Sequence, residues 1–295
     1  MRRTSSSNSV SRSKKPQLPR SKGLSPTEQR NPRSKNLDRL PIGDAVELML
    51  SEEAKVTRAL LKWRKEISAI VSKVAKAFRT NGRLFYVGAG TSGRLGVLDA
   101  SECPPTFRVA PEMVQGIIAG GDVALRTSVE GAEDDFPGGA QALRKRRVNA
   151  RDVVVGIAAS GTTPFVWGAL AEAKRRRAGT ALLCFNPNLE IPRLLRPQVV
   201  IAADLGPEVL TGSTRLKAGT ATKLVLNLIT TLAMVQSGKV YSNLMVDVRA
   251  TNVKLRQRAI RIVRELTGAD EASAREALER SAWKIRTAVA RLRPR

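Results

Sequence analysis

Short, nearly continuous apolar runs alternate with stretches of helical periodicity through the middle of this chain. The runs are each short enough for one strand, and they lie at about 84–87, 115–119, 152–159, 180–185 and 199–203. Strands that are covered by helices on both faces have such unbroken apolar sequences. The alternation with helical patterns, notably at about 164–177, therefore predicts an α/β fold, three layers deep, with a central parallel sheet.

Helical spacing marks both flanks of this alternating segment. Apolar residues recur at three- and four-residue intervals over 42–78, which predicts two helices before the first strand. A long apolar helix is predicted over 213–236, and such a helix is usually core or a subunit interface. After Asn252 the sequence becomes basic and helical, and Asp270 is a predicted N-cap before a second amphipathic stretch over 272–292. A small helical segment is therefore expected at the C-terminal end.

The first apolar run leads directly into a turn rich in Gly, Ser and Thr, Gly88-Ala-Gly-Thr-Ser-Gly-Arg94, which opens a helix. The first N–H groups of a helix have no intrahelical partner, and the helix dipole is positive at that end. Gly90 lets the backbone approach a ligand, and the hydroxyls of Thr91 and Ser92 can donate to phosphate oxygens. The turn therefore predicts an anion site, although an ordinary Gly-rich turn has the same composition.

A second hydroxyl-rich turn follows another apolar run, in Ala159-Ser-Gly-Thr-Thr163, with Pro164 at the start of the next helix. The carboxyl ends of parallel strands meet at one edge of a sheet, so the two turns can converge on one ligand. The contacts predicted from this turn are Ser160, Gly161, Thr162 and Thr163. Helix capping is the alternative role of these residues, and both roles use the same N–H groups.

Nucleotide binding fits the first turn less well than a smaller phosphorylated ligand does. The sequence has no Gly-x-x-x-x-Gly-Lys-Ser/Thr motif. The acidic residue expected roughly 20 residues after a dinucleotide-binding turn is also not clear.

The net charge of +25 raises the question of a nucleic-acid partner. However, 16 of the 25 excess positive charges lie within residues 1–39 and 251–295, so the middle of the chain is only modestly basic. Nucleic-acid binding is therefore not expected as the main function.

Histidine is absent, which excludes mechanisms that need imidazole and any Cys/His metal site. Two cysteines, Cys103 and Cys184, fit a reduced cytoplasmic protein. No apolar run approaches the roughly 18–20 residues of a membrane span, and no apolar region follows the basic N-terminus as in a secretory signal. Residues 1–26 are expected to be a disordered basic Ser-rich extension.

The pair of turns resembles the sugar isomerase (SIS) fold, and longer motifs resemble the N-acetylmuramic acid 6-phosphate etherase family. The early Thr27-Glu-Gln-Arg-Asn-Pro32 is similar to the start of that family. The other matching motifs are Asp99-Ala-Ser-Glu-Cys-Pro-Pro-Thr-Phe107, Glu130-Gly-Ala-Glu-Asp134, Pro207-Glu-Val-Leu-Thr-Gly-Ser-Thr-Arg-Leu-Lys-Ala-Gly-Thr220 and Gly238-Lys-Val-Tyr-Ser-Asn-Leu-Met-Val-Asp247.

This resemblance implies a SIS sugar-phosphate domain over 27–250 and a short C-terminal helical segment over 251–295. The implied reaction cleaves the lactyl ether of N-acetylmuramic acid 6-phosphate by elimination followed by hydration, in amino-sugar catabolism and peptidoglycan recycling. The implied partners are a small sugar phosphate and a second copy of the chain, with no cofactor, metal or membrane. The helical segment is expected to end earlier than in the family.

The same resemblance implies Glu102 and Glu133 as the catalytic pair. Two carboxylates can serve as acid and base in a protein without histidine. We predict Glu133 as the base at C2 of the sugar and Glu102 as the acid that protonates lactate, and the reverse assignment stays open. Glu208 and Lys217 are further predicted substrate contacts, for which a structural role at a helix start is the alternative.

Other functions of a SIS-like chain remain as alternatives. A sugar-phosphate-sensing regulator would keep both turns and dispense with the two carboxylates. A sugar-phosphate isomerase would also take a proton beside an aldehyde, but the Ser-Glu-Cys-Pro-Pro-Thr segment argues against it. A transcription regulator would need a helix-turn-helix before the sheet, where this chain is Ser/Pro-rich.

Overall fold

The computed structural model describes residues 18–292, and its centre is a five-stranded parallel sheet with the order β3-β2-β4-β5-β7. A separate pair of two-residue strands, β1 and β6, is antiparallel. The strands are β1 (Arg20–Ser21), β2 (Leu84–Gly88), β3 (Val114–Ile118), β4 (Val153–Ile157), β5 (Gly179–Cys184), β6 (Leu189–Glu190) and β7 (Val199–Ala202). The predicted α/β fold with a parallel sheet is confirmed.

Helices cover both faces of the sheet, which gives the three layers. One apolar core lies between the sheet and α3, α4 and α7, and a second lies between the sheet and α5 and α6. The helices are α1 (Ile42–Glu53), α2 (Lys55–Leu61), α3 (Arg64–Arg79), α4 (Gly90–Phe107), α5 (Phe136–Lys145), α6 (Pro164–Arg175), α7 (Lys217–Gln236), α8 (Val253–Thr267), α9 (Glu271–Glu279) and α10 (Ile285–Leu292). Because β2 and β4 are entirely buried, their apolar runs are continuous.

Close contact between α4 and the sheet depends on glycine. A Cβ atom at Gly93 would lie 2.6 Å from Cγ1 of Ile118, and one at Gly116 would lie 2.5 Å from Cα of Val97. Neither distance is compatible with a larger residue. The glycines therefore allow the first half of α4 to pack directly on β3.

Three helices, rather than the predicted two, precede the first strand of the sheet. The chain turns at Ala54 and again at Lys62 and Trp63, which separates α1, α2 and α3. Periodicity alone did not find these turns, since no Gly or Pro marks them. They allow α3 to bury its apolar stripe while α1 buries only Glu52.

The N-terminal extension is ordered in its described part. Residues 20–21 form β1 and pair with β6, and Ser25 and Pro26 are buried. The expectation of disorder is therefore wrong for residues 18–26, because backbone pairing with Leu189 and Glu190 holds this segment. Residues 1–17 lie outside the described residues.

The C-terminal helices form a small unit with its own apolar core, which includes Val246 and Val248. Asp270 caps α9 by accepting a hydrogen bond from the Ser273 N–H at 2.8 Å, as predicted. The predicted second stretch is two helices, α9 and α10. Arg108, just after α4, donates to the carbonyl oxygens of Val248 and Trp283 and thereby joins this unit to the SIS-like layers.

Within residues 18–292, α7 is the one helix that is long and apolar enough to cross a membrane. The expectation that no apolar run approaches this length is therefore wrong. More than half of the stretch is buried, and its buried face packs against α3 and α4. This packing accounts for its composition as that of a core helix.

Candidate active site

The two hydroxyl-rich turns lie side by side at the carboxyl edge of the sheet. β2 and β4 are hydrogen-bonded neighbours, and Gly88 at the end of β2 lies opposite Ile157 at the end of β4. On its other side, Gly88 lies opposite Ile118 at the end of β3. The chain order reverses between β2 and β4, and ligands of open α/β sheets bind where this reversal occurs.

The first turn places uncapped backbone N–H groups at this edge of the sheet. Helix α4 begins at Gly90 after Ala89, and no side chain among the described residues caps its N-terminus. Gly90 is exposed and has φ of +51°, a conformation that favours glycine. Thr91 and Ser92 are half-buried in the first turn of the helix. The N–H groups and hydroxyls are therefore available to an anion.

The second hydroxyl-rich turn, 159–163, also leads into a helix whose N-terminus no side chain caps among the described residues. Ser160 Oγ and Thr162 Oγ1 are 2.9 Å apart, and the carbonyl oxygen of Gly161 accepts a 2.7 Å hydrogen bond from Trp167 Nε1. Thr163 is the N-cap residue of α6, but its side chain makes no capping hydrogen bond. Two helices with uncapped N-termini thus begin at neighbouring strand ends.

Glu133 lies beside the first turn. A cavity of about 210 Å³ is lined by Gly90 and Arg94 on one side and by Ser128, Glu130 and Glu133 on the other. Glu133 is exposed in a short 3-10 turn that follows Gly131, whose φ is +73°. The structure therefore brings Glu133 together with the first hydroxyl-rich turn.

Glu102 does not line that cavity. It lies on the same helix as Gly90 but twelve residues further along, which is about 18 Å at the rise of an α-helix. Glu102 lines a different cavity of about 320 Å³ between the outer faces of α4 and α7, together with Asp99, Lys223 and Asn227. Within one chain, the two predicted catalytic carboxylates therefore face separate cavities.

Asp99 is the buried carboxylate of this second cavity, and no sequence pattern marked it as a site residue. Its Oδ1 accepts hydrogen bonds from Asn227 Nδ2 at 2.7 Å and from Thr230 Oγ1 at 3.3 Å. Burial raises the pKa of Asp99, and these hydrogen bonds only partly oppose that effect. Asp99 therefore ties α4 to α7 behind Glu102.

Glu208 caps the long helix. Its two carboxylate oxygens accept hydrogen bonds from the backbone N–H groups of Lys217 and Ala218, at 3.1 and 2.9 Å. The side chain is buried, and burial raises its pKa although these hydrogen bonds oppose the shift. The N-terminus of α7 is thus satisfied by the protein itself, unlike those of α4 and α6. The segment still adjoins the site, since a Cβ at Gly219 would lie 3.6 Å from Thr91 Cγ2.

Lys217, a predicted contact with substrate, makes structural hydrogen bonds in the described part of the chain. Its side chain is 1% exposed, and Nζ donates to Glu52 Oε2 at 2.9 Å and to the carbonyl oxygens of Leu205 and Pro207 at 3.0 and 2.7 Å. These three acceptors use all three ammonium protons. The polar atoms of Lys217 and Glu208 are thus used by the start of helix α7 and the segment before it, and the predictions that these residues contact substrate stay predictions.

Glu52 is the hub of this arrangement, and no sequence motif indicated it. The carboxylate is buried and pairs with Arg33, Lys55 and Lys217. Burial by itself raises the pKa of Glu52, but hydrogen bonds from the three cations outweigh burial and lower the pKa to about 2. The hub holds α1, α2 and the start of α7 together.

Replacing Glu52 by Gln is expected to reduce the free energy of unfolding by about 3–5 kcal/mol, because it leaves the buried Lys217 ammonium without a counter-ion. The lowered pKa means that the carboxylate stabilises the fold fully above about pH 4.5 and loses this effect as the pH falls towards 2. Urea unfolding across this pH range checks both statements. As the pH falls from above 4.5 to about 2, the free energy of unfolding of the wild type should decrease by roughly 3 kcal/mol more than that of Glu52→Gln.

The control is Glu190→Gln, because its pair with Arg20 is about half exposed. It should cost less than about 1 kcal/mol. A Glu52→Gln protein as stable as this control would contradict the assigned role of the hub.

Comparisons with known proteins show the family of this chain and its fold. Residues 66–174 match the family model of the glucokinase regulatory protein N-terminal SIS domain, and residues 242–293 match that of the C-terminal lid domain of glucokinase regulatory protein. The N-acetylmuramic acid 6-phosphate etherase of Gloeobacter violaceus is 54% identical over 263 residues, which are 89% of this chain and 85% of that protein. The chain belongs to the N-acetylmuramic acid 6-phosphate etherase family.

A second member of the N-acetylmuramic acid 6-phosphate etherase family, from Klebsiella aerogenes, is 51% identical over 89% of this chain and 87% of its own length. Among solved structures, the c3406 protein of E. coli CFT073 aligns with a TM-score of 0.50, covering 71% of this chain and 96% of that one. Its identity is only 13%, so it bears on the fold alone. The resemblance to the etherase family and the SIS fold are both confirmed.

Proposed function

We propose that this protein cleaves the D-lactyl ether of N-acetylmuramic acid 6-phosphate with water, giving N-acetylglucosamine 6-phosphate and D-lactate. Its 54% identity to an etherase of that name supports the reaction. The observation that carries the proposal in the structure is the pair of uncapped helix N-termini, at α4 and α6, beside Glu133. The reaction belongs to amino-sugar catabolism and peptidoglycan recycling.

The 6-phosphate binds at the two turns in this proposal. The free N–H groups at the start of α4 and α6 point at the anion, and the helix dipoles favour its negative charge. Hydroxyls of Thr91, Ser92, Ser160, Thr162 and Thr163 complete the cradle. Phosphate held there fixes one end of the sugar and leaves C2 and C3 free for the acid–base groups.

The chemistry uses the open-chain aldehyde form of the sugar, because an aldehyde at C1 makes the C2 proton acidic. Glu133 removes that proton, a double bond forms between C2 and C3, and the bond from C3 to the lactyl oxygen breaks. Glu102 protonates the departing oxygen. Water then adds its oxygen to C3 and a proton returns to C2, so each product is complete. The opposite assignment of the two carboxylates uses the same steps.

One chain does not bring both carboxylates to one sugar, and we propose that a second copy supplies Glu102. The midpoint of α4 between Gly90 and Glu102 is residue 96. A two-fold axis perpendicular to α4, lying beyond the exposed face of the helix at the level of this residue, would place α4 of the partner antiparallel, with each Glu102 near the other chain's Gly90. The site would then be completed across a homodimer interface.

The surface around this midpoint is apolar, as an interface of this kind requires. Leu98 near the middle of α4 is 50% exposed, and Leu228 and Leu232 on the neighbouring α7 are 40% and 42% exposed. The positions 228, 232 and 235 follow helical spacing and give α7 an outer apolar stripe. Burial of these side chains against a second copy would stabilise the dimer.

Cytoplasmic activity is part of the proposal. Cys103 and Cys184 are both free and buried, and burial raises the pKa of each thiol to about 12. Thiols of this kind are unreactive, and an unpaired state fits a reducing compartment.

The reaction is tested by incubating the protein with N-acetylmuramic acid 6-phosphate in ¹⁸O-labelled water. We expect unlabelled D-lactate and one ¹⁸O at C3 of N-acetylglucosamine 6-phosphate, because hydration follows elimination. Mass spectrometry of both products measures this. N-Acetylglucosamine 6-phosphate incubated with the protein in the same water is the control for label that enters by reversal of hydration or by exchange of the C1 aldehyde oxygen.

Two outcomes would contradict this proposal. Absence of lactate would reject the etherase reaction, and ¹⁸O in lactate would indicate attack on the lactyl carbon instead of elimination. Binding of the sugar phosphate without lactate release would favour the sugar-sensing alternative, with which the matched SIS family model is consistent.

A further inference from the structure

The cavity that contains Glu133 is also lined by one cationic side chain that has no part in the proposed reaction. Among the described residues that line this cavity, Arg94 is the one Lys or Arg side chain, and it faces Glu130 and Glu133 across the opening. Arg94 lies one helical turn after Gly90 on α4. The cavity therefore combines a base, a cation and the positive end of a helix dipole.

The guanidinium of Arg94 is held in place while its outer nitrogens stay free. Its Nε donates a 3.2 Å hydrogen bond to the carbonyl oxygen of Leu125. Within residues 18–292, no carboxylate oxygen lies within 4.0 Å of the Arg94 nitrogens, although two acids line the same cavity. Glu130 instead accepts a 2.9 Å hydrogen bond from Ser128 Oγ. The two terminal nitrogens can therefore bind an anion side by side.

The substrate of the proposed reaction carries two anions, and its connectivity distinguishes them. Glu133 works at C2, and C3, which bears the lactyl ether, is the next carbon. The phosphate is on C6 at the other end of the open chain, where the turns of α4 and α6 provide the N–H groups. Gly90 at the start of α4 lines the same cavity, so the phosphate takes the helix start and the lactyl carboxylate is the anionic group left for Arg94, one helical turn further along.

We propose that Arg94 binds the lactyl carboxylate of the substrate and so selects the ether that bears it. The inference rests on the proposed function, which supplies the substrate. A planar guanidinium with two parallel donors matches a carboxylate closely, and such charge-assisted pairs are stronger than neutral hydrogen bonds. The tether to Leu125 fixes the guanidinium, so less rotamer freedom is lost when the substrate binds.

The test compares two ligands that differ at the lactyl group. N-Acetylmuramic acid 6-phosphate has both anions, whereas the product N-acetylglucosamine 6-phosphate has only the phosphate. Arg94→Gln is expected to raise KM for the substrate roughly 10- to 100-fold while the inhibition constant of the product changes less than about threefold. The KM of Arg94→Lys for the substrate should lie between those of the wild type and Arg94→Gln, because lysine keeps the charge without the paired donors.

An exposed neighbour provides the matched control. Arg126 follows Leu125 but does not line the cavity, so Arg126→Gln removes the same charge outside the proposed contact. It should leave both constants within about threefold of the wild type. Unchanged product inhibition in Arg94→Gln also shows that this variant is folded with an intact phosphate site.

Three outcomes would overturn this assignment. Equal weakening of substrate and product would place the phosphate on Arg94, and no change in either would leave Arg94 without a ligand. A fall in kcat with KM unchanged would contradict binding of a group that is present before the reaction begins. Wild-type protein that releases no lactate would instead defeat the proposed reaction, which separates the two failures.

A ligand that lacks the carboxylate tests the same contact by changing the ligand instead of Arg94. The 3-O-ethyl ether of N-acetylglucosamine 6-phosphate keeps the phosphate and the ether but lacks the carboxylate. Against the wild type, it should inhibit roughly 10- to 100-fold less strongly than the substrate binds. Against Arg94→Gln this difference should disappear, and a difference that persists would overturn the proposal.

Discussion

Glu133→Gln is expected to lower D-lactate release by about 10²–10⁴-fold, which is the range that a positioned acid–base group contributes. The amide has nearly the same shape as the carboxylate but cannot accept the C2 proton. Because Glu133 is exposed, the substitution should leave stability nearly unchanged. Steady-state lactate assays and urea unfolding measure the two effects.

Glu130→Gln is the matched control, since Glu130 lies in the same loop but has its own hydrogen bond from Ser128. It should retain activity within a few-fold of the wild type. Comparable losses in both variants would show that the loop, and not the Glu133 carboxylate, is what the reaction needs.

Deuterium exchange separates the base from the acid. With Glu133 as the base, Glu102→Gln should still exchange the C2 proton of substrate with D₂O although lactate release is lost. Glu133→Gln should lose both activities. The opposite pattern would reverse the assignment of the two carboxylates.

Mixing the two inactive variants is expected to restore about a quarter of wild-type activity if the second copy supplies Glu102. Random exchange makes half of the dimers mixed, and each mixed dimer has one site with both carboxylates intact and one with neither. If both carboxylates came from one chain, every site in the mixture would remain defective. Lactate release after subunit exchange measures the difference.

The control mixes wild type with the double variant Glu102→Gln/Glu133→Gln. For a site shared between chains, every mixed dimer is inactive, so equal amounts should give about a quarter of the activity of an all-wild-type sample. For a site within one chain, half should remain. An inactive first mixture together with half activity in the second would reject the shared site.

The buried hub around Glu52 shows why the surroundings of a polar residue such as Lys217 could not be predicted from the sequence. Lys217 lies in a motif that resembles the etherase family, and a conspicuous basic residue near a phosphate turn suggests a ligand contact. Its partner Glu52 is 165 residues away in sequence. No local pattern could have linked the two, because burial and ion pairing are decided by how α1 and α7 meet.

The sequence by itself determined the strands and helices of the sheet layers, the two turns and the Asp270 cap, because these depend on patterns of residues close along the chain. Apolar runs reveal strands, Gly, Ser and Thr after a strand reveal a turn, and the free N–H groups follow from helix geometry. Only the tertiary structure decided which side chains share a cavity. It placed Arg94 and Glu133 in one cavity, Glu102 in another beside Asp99, and the Lys217 ammonium in the buried cluster around Glu52. These placements depend on packing between distant elements, which sequence periodicity does not encode.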